Sequence, residues 1–313
     1  MKIIFYGARG SIPTPLMLDE YQAKIKEILT LYSKAVDKNI DRFIKNLPFC
    51  LSHICGGNTS CVVINEEDNN KDIIVLDAGS GLRSLGKSLL ERNNLNIHIF
   101  ITHFHWDHIC GIPFFKPIYN PTNNIIFYSP NENIKENLER QQHQAHFPLP
   151  FEKLPAKKHF VILDQKTSYH LNGFEIKSIP LNHPGGAFGY IFSKNNKKIS
   201  YVTDTEFTPE NIKEKELFYK ACFESSDVLI MDCQYSLSEF FSKFEWGHTS
   251  STMAINLALE WRVKKIVLFH FDPDHTDKDL LRIMNEAKAV KSTKYNKRNL
   301  EIIQAYEGLE IEI

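Results

Sequence analysis

Neither sign of charge dominates this sequence: 37 Lys and Arg stand against 38 Asp and Glu, a formal net charge of -1. A long nucleic-acid groove needs a surplus of basic side chains to neutralise successive phosphates, so none is expected here, although the balance leaves room for a small nucleotide in one pocket. Long apolar runs are missing too. None approaches the ~20 residues that a membrane span takes, and the opening run Ile3-Ile4-Phe5-Tyr6 stops at Gly7, too short for a signal peptide. Cysteine is sparse. Cys50, Cys55, Cys61, Cys110, Cys222 and Cys233 show neither zinc-finger spacing nor a dense disulfide pattern, so reduced thiols are the expectation. No short-period repeat, low-complexity segment or Gly- and Lys-rich arm is present. These absences point to a soluble, cytoplasmic protein with no membrane partner. Its 313 residues are enough for a sizeable core.

What is present is a recurring pattern of short runs rich in Ile, Val, Phe and Tyr, bounded by Gly, Asn, Asp or Pro. Strands are predicted at Lys2 to Tyr6, Cys61 to Ile64, Ile73 to Leu76, Ile97 to Ile101 and Ile125 to Tyr128. The second half adds Phe174 to Ile179, Phe188 to Phe192, Ile199 to Val202, Val228 to Met231 and Ile266 to Phe269. Ala254, Leu257, Ala258 and Trp261 fall on one helical face, after the hydroxyls of Thr249 to Ser251. The mixed order suits a layered α/β architecture, expected as a single domain over residues 1–313. From Asp19 to Phe49 the chain turns helix-prone, with Ile25, Ile28, Leu29, Tyr32, Val36, Ile40, Phe43, Ile44 and Leu47 at helical spacings. This reads as a helical insertion, either packed on its own domain or serving as a lid or a dimerisation arm. The basic run Lys291 to Arg298 reads as a solvated helix face.

The decisive segment is Ile99-Phe100-Ile101-Thr102-His103-Phe104-His105-Trp106-Asp107-His108, where a strand runs directly into three histidines and an aspartate. Imidazole and carboxylate at this spacing suit zinc, manganese or iron. His103-Phe104-His105-Trp106-Asp107-His108 resembles the H-x-H-x-D-H motif of the metallo-β-lactamase superfamily. Further along, His183, Asp204 and His270 follow strand-like runs in the order that family shows. The segments Gly7-Ala8-Arg9-Gly10-Ser11-Ile12-Pro13, Gly56-Gly57-Asn58-Thr59-Ser60-Cys61 and Asp77-Ala78-Gly79-Ser80-Gly81 are similar to its phosphodiesterase-type branch. That branch includes cyclic-nucleotide phosphodiesterases and tRNA 3′-processing endonucleases.

The resemblance implies a four-layer αββα sandwich holding two divalent ions, zinc first, with manganese or iron also admitted. His103, His105 and His183 would hold one ion and Asp107, His108 and His270 the other, with Asp204 bridging. The expected reaction is hydrolysis of a nucleotide phosphodiester, a cyclic nucleotide before others, by a hydroxide bridging the pair, with Asp107 counted among the catalytic residues. His248, in Trp246-Gly247-His248-Thr249-Ser250, is the expected general acid. Asp77, Asn58, Thr59 and, more weakly, His275 are candidates for orienting ligands or contacting substrate; a turn residue is the alternative for Asp77, and a solvated loop for His275 and Asp272. Trp106 and Phe115 are candidates for stacking on a base, with packing the default for such residues. The alternatives are a tRNA 3′-processing endoribonuclease, a thioester or lactam hydrolase, and an inactive binding protein. A homodimer is the expected assembly, resting on the apolar insertion.

Overall fold

In a computed structural model, which describes residues 1–65, 71–294 and 299–313, fourteen strands form two seven-stranded mixed sheets. The first contains β1 (Lys2–Gly7), β2 (Cys61–Asn65), β3 (Asp72–Leu76), β4 (Asn96–Phe100), β5 (Asn124–Ser129) and β6 (Lys157–Ile162). The second contains β7 (Tyr169–Leu171), β8 (Phe174–Leu181), β9 (Ala187–Lys194), β10 (Lys197–Val202), β11 (Val228–Asp232), β12 (Lys265–Phe269) and β13 (Glu301–Gln304). The last strand, β14 (Glu310–Glu312), returns to pair antiparallel with β1, so the orders are β14-β1-β2-β3-β4-β5-β6 and β13-β12-β11-β10-β9-β8-β7.

Strands β2 to β5 read as nearly continuous apolar runs because both faces of their sheet are covered. Val62, Ile64, Ile74, Leu76 and Phe100 face inward, in one buried cluster with Phe174, Tyr190, Phe192 and Tyr201 of the second sheet. Cys61, Val63, Ile73, Val75, Ile97 and Ile99 alternate with them and pack beneath the helices Gly81–Ser88 and Ile134–Gln141, through Leu82, Leu85, Ile134 and Leu138. On the far side, the helices Ser251–Glu260 and Asp277–Lys294 cover the second sheet with Ala254, Leu257, Leu280 and Ile283. The result is helix, sheet, sheet, helix, the expected four-layer sandwich. Strands β3 to β6 run parallel, as do β10 to β13, so the carboxyl ends of several central strands open onto one rim.

The 19–49 stretch is helical, as Leu18–Lys34 and Ile40–Lys45, with a further turn at Phe49–Ser52. Neither of the first two helices has a buried residue; Leu29 is 60% and Val36 100% exposed. The insertion is moored instead by polar links. Lys24 pairs with Asp277 at 2.6 Å and donates to the His53 carbonyl at 2.9 Å. The basic run from Lys291 begins on the helix Asp277–Lys294, and its remainder lies outside the described residues. All six cysteines are free thiols, and among the described residues no helix is long and apolar enough to cross a membrane.

Candidate metal centre

The rim gathers its residues by strand end. Asp77 follows β3, the His103 to His108 segment follows β4, His183 follows β8, Asp204 follows β10, Asp232 closes β11 and His270 follows β12. Three of these positions are left-handed: Asp77 has φ 57°, Asp204 φ 54° and His270 φ 62°. Non-glycine residues rarely take that conformation. Here it turns each side chain off its strand and into the rim, a local strain that the packed strands hold in place.

Among the described residues four groups of ligand-type atoms result, and two of them include His248, with His183 and Asp204 or with Asp232 and His270. The other two account for the predicted ligands, one of His103, His105 and His183, the other of Asp107, His108, Asp204 and His270. Asp204 faces both. Its Oδ1 lies 3.2 Å from His108 Nε2 and 3.2 Å from His270 Nε2, while its Oδ2 lies 3.5 Å from His103 Nε2 and 3.8 Å from His183 Nε2. In the first group His183 Nε2 stands 3.1 Å from His105 Nδ1. In the second, Asp107 Oδ2 stands 3.0 Å from His270 Nε2 and accepts from the Ser11 amide at 2.8 Å.

The donor set fits divalent cations. It offers imidazole nitrogen and carboxylate oxygen without thiolate. Burial pushes the His103 and His183 imidazoles below their ordinary range, toward the neutral form that binds metal. Burial alone would raise Asp204, but the imidazoles of His108, His270 and His103 outweigh it and hold the carboxyl well below its usual range. The buried Nε2 of His103 has no hydrogen-bond partner among the described residues, the condition expected of an atom that a cation would satisfy.

Around these atoms is a second set that fixes their orientation. Asp77 is fully buried; it accepts from the Thr102 amide at 2.8 Å and the Tyr201 hydroxyl at 2.9 Å, and stands 2.8 Å from His108 Nδ1. That contact leaves Nε2 of His108 for the centre. The Gly247 carbonyl does the same for His183, 2.9 Å from its Nδ1. Gly247 is itself held by Glu206, whose Oε2 accepts its amide at 3.1 Å. At two glycines the space is taken by an imidazole of the centre. A Cβ on Gly247, whose φ is +87°, would lie 2.2 Å from His183 Nδ1, and one on Gly10 would lie 2.5 Å from the His270 ring.

His248 stands at the edge of the centre, its ring stacked on His270 with centroids 5.1 Å apart and 2.8 Å from Asp232 through Nδ1. Burial opposes charge on this imidazole, but the Asp232 carboxylate outweighs it and holds the group above its ordinary value. Asp232 also accepts from the Gln234 and Thr205 amides at 3.0 and 3.2 Å. Asp232 and Glu206 are absent from the sequence-based candidates. The signal for Asp232 was an acid closing the apolar run Val228 to Met231, the same context as Asp77 and Asp204. Glu206 carried no comparable signal, because its partners are backbone amides of the 245–247 loop.

Several predicted residues are placed elsewhere. Asn58 Nδ2 donates to Glu307 at 3.0 Å, Thr59 Oγ1 accepts from the Ser80 amide at 2.9 Å, and His275 Nε2 stands 2.9 Å from Glu239. All three brace loops around the rim rather than join the imidazoles, through partners distant from them in the chain. Phe115 is fully buried in the outer core, whereas Trp106 is 83% exposed.

The profile of the beta-lactamase superfamily domain matches residues 73–289, more than two thirds of the chain and every ligand-type residue of both groups. The chain belongs to the metallo-β-lactamase superfamily. Within it, a curated relative named ribonuclease Z, from Thermoplasma acidophilum, is 24% identical, the alignment covering 96% of this chain and 95% of that one. Two solved structures share the superfamily fold over all of this chain and 99% of their own. Human tRNase Z, short form, has a TM-score of 0.60 at 18% identity, and unliganded yeast PDE1 has 0.65 at 15%.

Proposed function

We propose that this superfamily member is a metal-dependent phosphodiesterase acting on a nucleotide phosphodiester. The observation that carries the reading is Asp204, which offers one carboxylate oxygen to each group of imidazoles and so shapes the rim for a pair of cations. When bound, two divalent ions, zinc before manganese or iron, would supply Lewis acidity toward a phosphoryl group. The chain's own residues do the rest. Asp77 and the Gly247 carbonyl fix the faces of His108 and His183. His248 keeps a proton through its bond to Asp232 and offers its other ring nitrogen to the departing oxygen, which leaves poorly without one.

A cyclic or other small nucleotide is the substrate favoured by the balanced charge and by the lack of a basic arm for gripping a folded RNA. The second reading is tRNA 3′ processing, and it draws on the nearly full-length alignment with a relative named ribonuclease Z. The test is a side-by-side screen of the zinc- or manganese-loaded protein against 3′,5′-cyclic mononucleotides, cyclic dinucleotides and a precursor tRNA. Turnover of cyclic nucleotides alone supports the first reading, and cleavage of the tRNA alone the second. Hydrolysis of a thioester or lactam with none of the phosphodiesters would overturn both.

A further inference from the structure

The metal loop also helps to line an open cavity of about 820 Å³, within the ordinary range for small-molecule sites. Two of its walls are Phe104 and Trp106, the variable positions of the His103 to His108 motif, so each aromatic adjoins a ligand-type residue in the chain. Phe114 and Phe147 complete the aromatic lining, packed edge to face with centroids 5.7 Å apart. Asn137, Arg140, Gln141 and His146 add polar groups. The wall and the metal loop are joined: Gln141, at the end of the helix bearing Arg140, donates to the Ile109 carbonyl at 2.8 Å.

We propose that this cavity takes a nucleobase attached to the phosphate held at the rim. Aromatic faces suit a flat base, since stacking accepts any base, and Asn137 and Arg140 can meet its polar edge. A purely apolar partner would leave Arg140 and Asn137 without a role. The proposal rests on the phosphodiesterase reading for the phosphate's position, and it names the part of the substrate that the imidazoles do not touch. The base belongs either to a free nucleotide or to the end of an RNA strand.

Two esters with the same leaving group separate the subsite from the chemistry: thymidine 5′-(p-nitrophenyl) phosphate and methyl p-nitrophenyl phosphate. Phe114→Ala is expected to raise KM for the thymidine ester by about tenfold, the scale of one lost stacking contact, and to leave kcat/KM for the methyl ester unchanged. Equal losses on both, or none on the thymidine ester, would overturn the subsite. Phe114→Leu keeps the bulk without the ring and guards against a folding defect; it should show the same selective loss. Calorimetry makes the answer independent of turnover. Wild type should bind both AMP and adenosine, and Phe114→Ala should weaken both by about tenfold. If wild type hydrolyses neither ester yet shows this pattern, the phosphodiesterase reading falls and the base site stands. If it binds neither AMP nor a single-stranded RNA trinucleotide, the base site falls. Tighter binding of the trinucleotide than of AMP would identify RNA as the source of the base, and equal binding a free nucleotide; either sustains the subsite.

Discussion

At Asp204 one side chain meets two demands, because its oxygens are shared between His108 and His270 on one side and His103 and His183 on the other. Asp204→Ala should therefore empty both positions rather than one. Metal analysis of the purified variant should find less than half the wild-type content, and hydrolysis of bis(p-nitrophenyl) phosphate should fall by more than the ~10–100-fold that loss of an outer, ligand-orienting group costs. Full activity would end the two-metal reading. Asp77 acts one bond further out. Asp77→Asn keeps the size and the Thr102 contacts but loses the charge facing His108, and metal affinity measured by chelator competition should drop about 10–100-fold. His248 is tested by choice of leaving group. His248→Ala should slow an alkyl phosphodiester by about 10²–10⁴-fold and a nitrophenyl ester far less, because only the alkoxide needs a proton to depart. Asp232→Asn should show the same selectivity with a smaller loss; equal losses on both substrates would remove the proton-donor role from the pair.

The elements that matter most for the site are turns at strand ends. The 245–247 loop illustrates how little freedom they have: Glu206 accepts two of its amides, and its Gly247 carbonyl sets the His183 ring. Gly247→Ala adds a Cβ 2.2 Å from that ring at a φ of +87°, so the ring or the loop must move. The expected outcome is loss of one metal equivalent and most activity, with a circular-dichroism melt no lower than that of chelated wild type, because the loop lies outside both cores. A fully active variant would show that His183 is not held this way. The same reasoning explains which strands were legible. The ten predicted from apolar runs are interior, while β6, β7, β13 and β14 are the four sheet edges. The edge strands are covered less completely than the interior ones, so β14 reads Glu-Ile-Glu and β6 opens Lys-Lys-His before Phe-Val-Ile, patterns that stand out poorly from loops.

Across the molecule, the centre is also a structural element. Imidazoles and carboxylates are buried together where two sheets meet, and a cation bound there is linked to folding. Chelation should lower the thermal midpoint by about 4 °C, the shift expected in a chain of this length for a ligand present at about 100 times its dissociation constant, and zinc or manganese should restore it. An unchanged midpoint would mean that the folded chain does not depend on metal.

The sequence alone determined the superfamily, the sandwich and the seven ligand-type residues, because the motif is local and the remaining ligands sit where apolar strands stop, a signal that one dimension carries. Tertiary structure decided what depends on partners distant in the chain. It paired Asp232 with His248 and Glu206 with the 245–247 loop, tied Asn58, Thr59 and His275 to bracing contacts, and buried Phe115 while leaving Trp106 at the mouth of a cavity. A side chain's role follows from which atom satisfies it, and for these residues that atom lies across the fold.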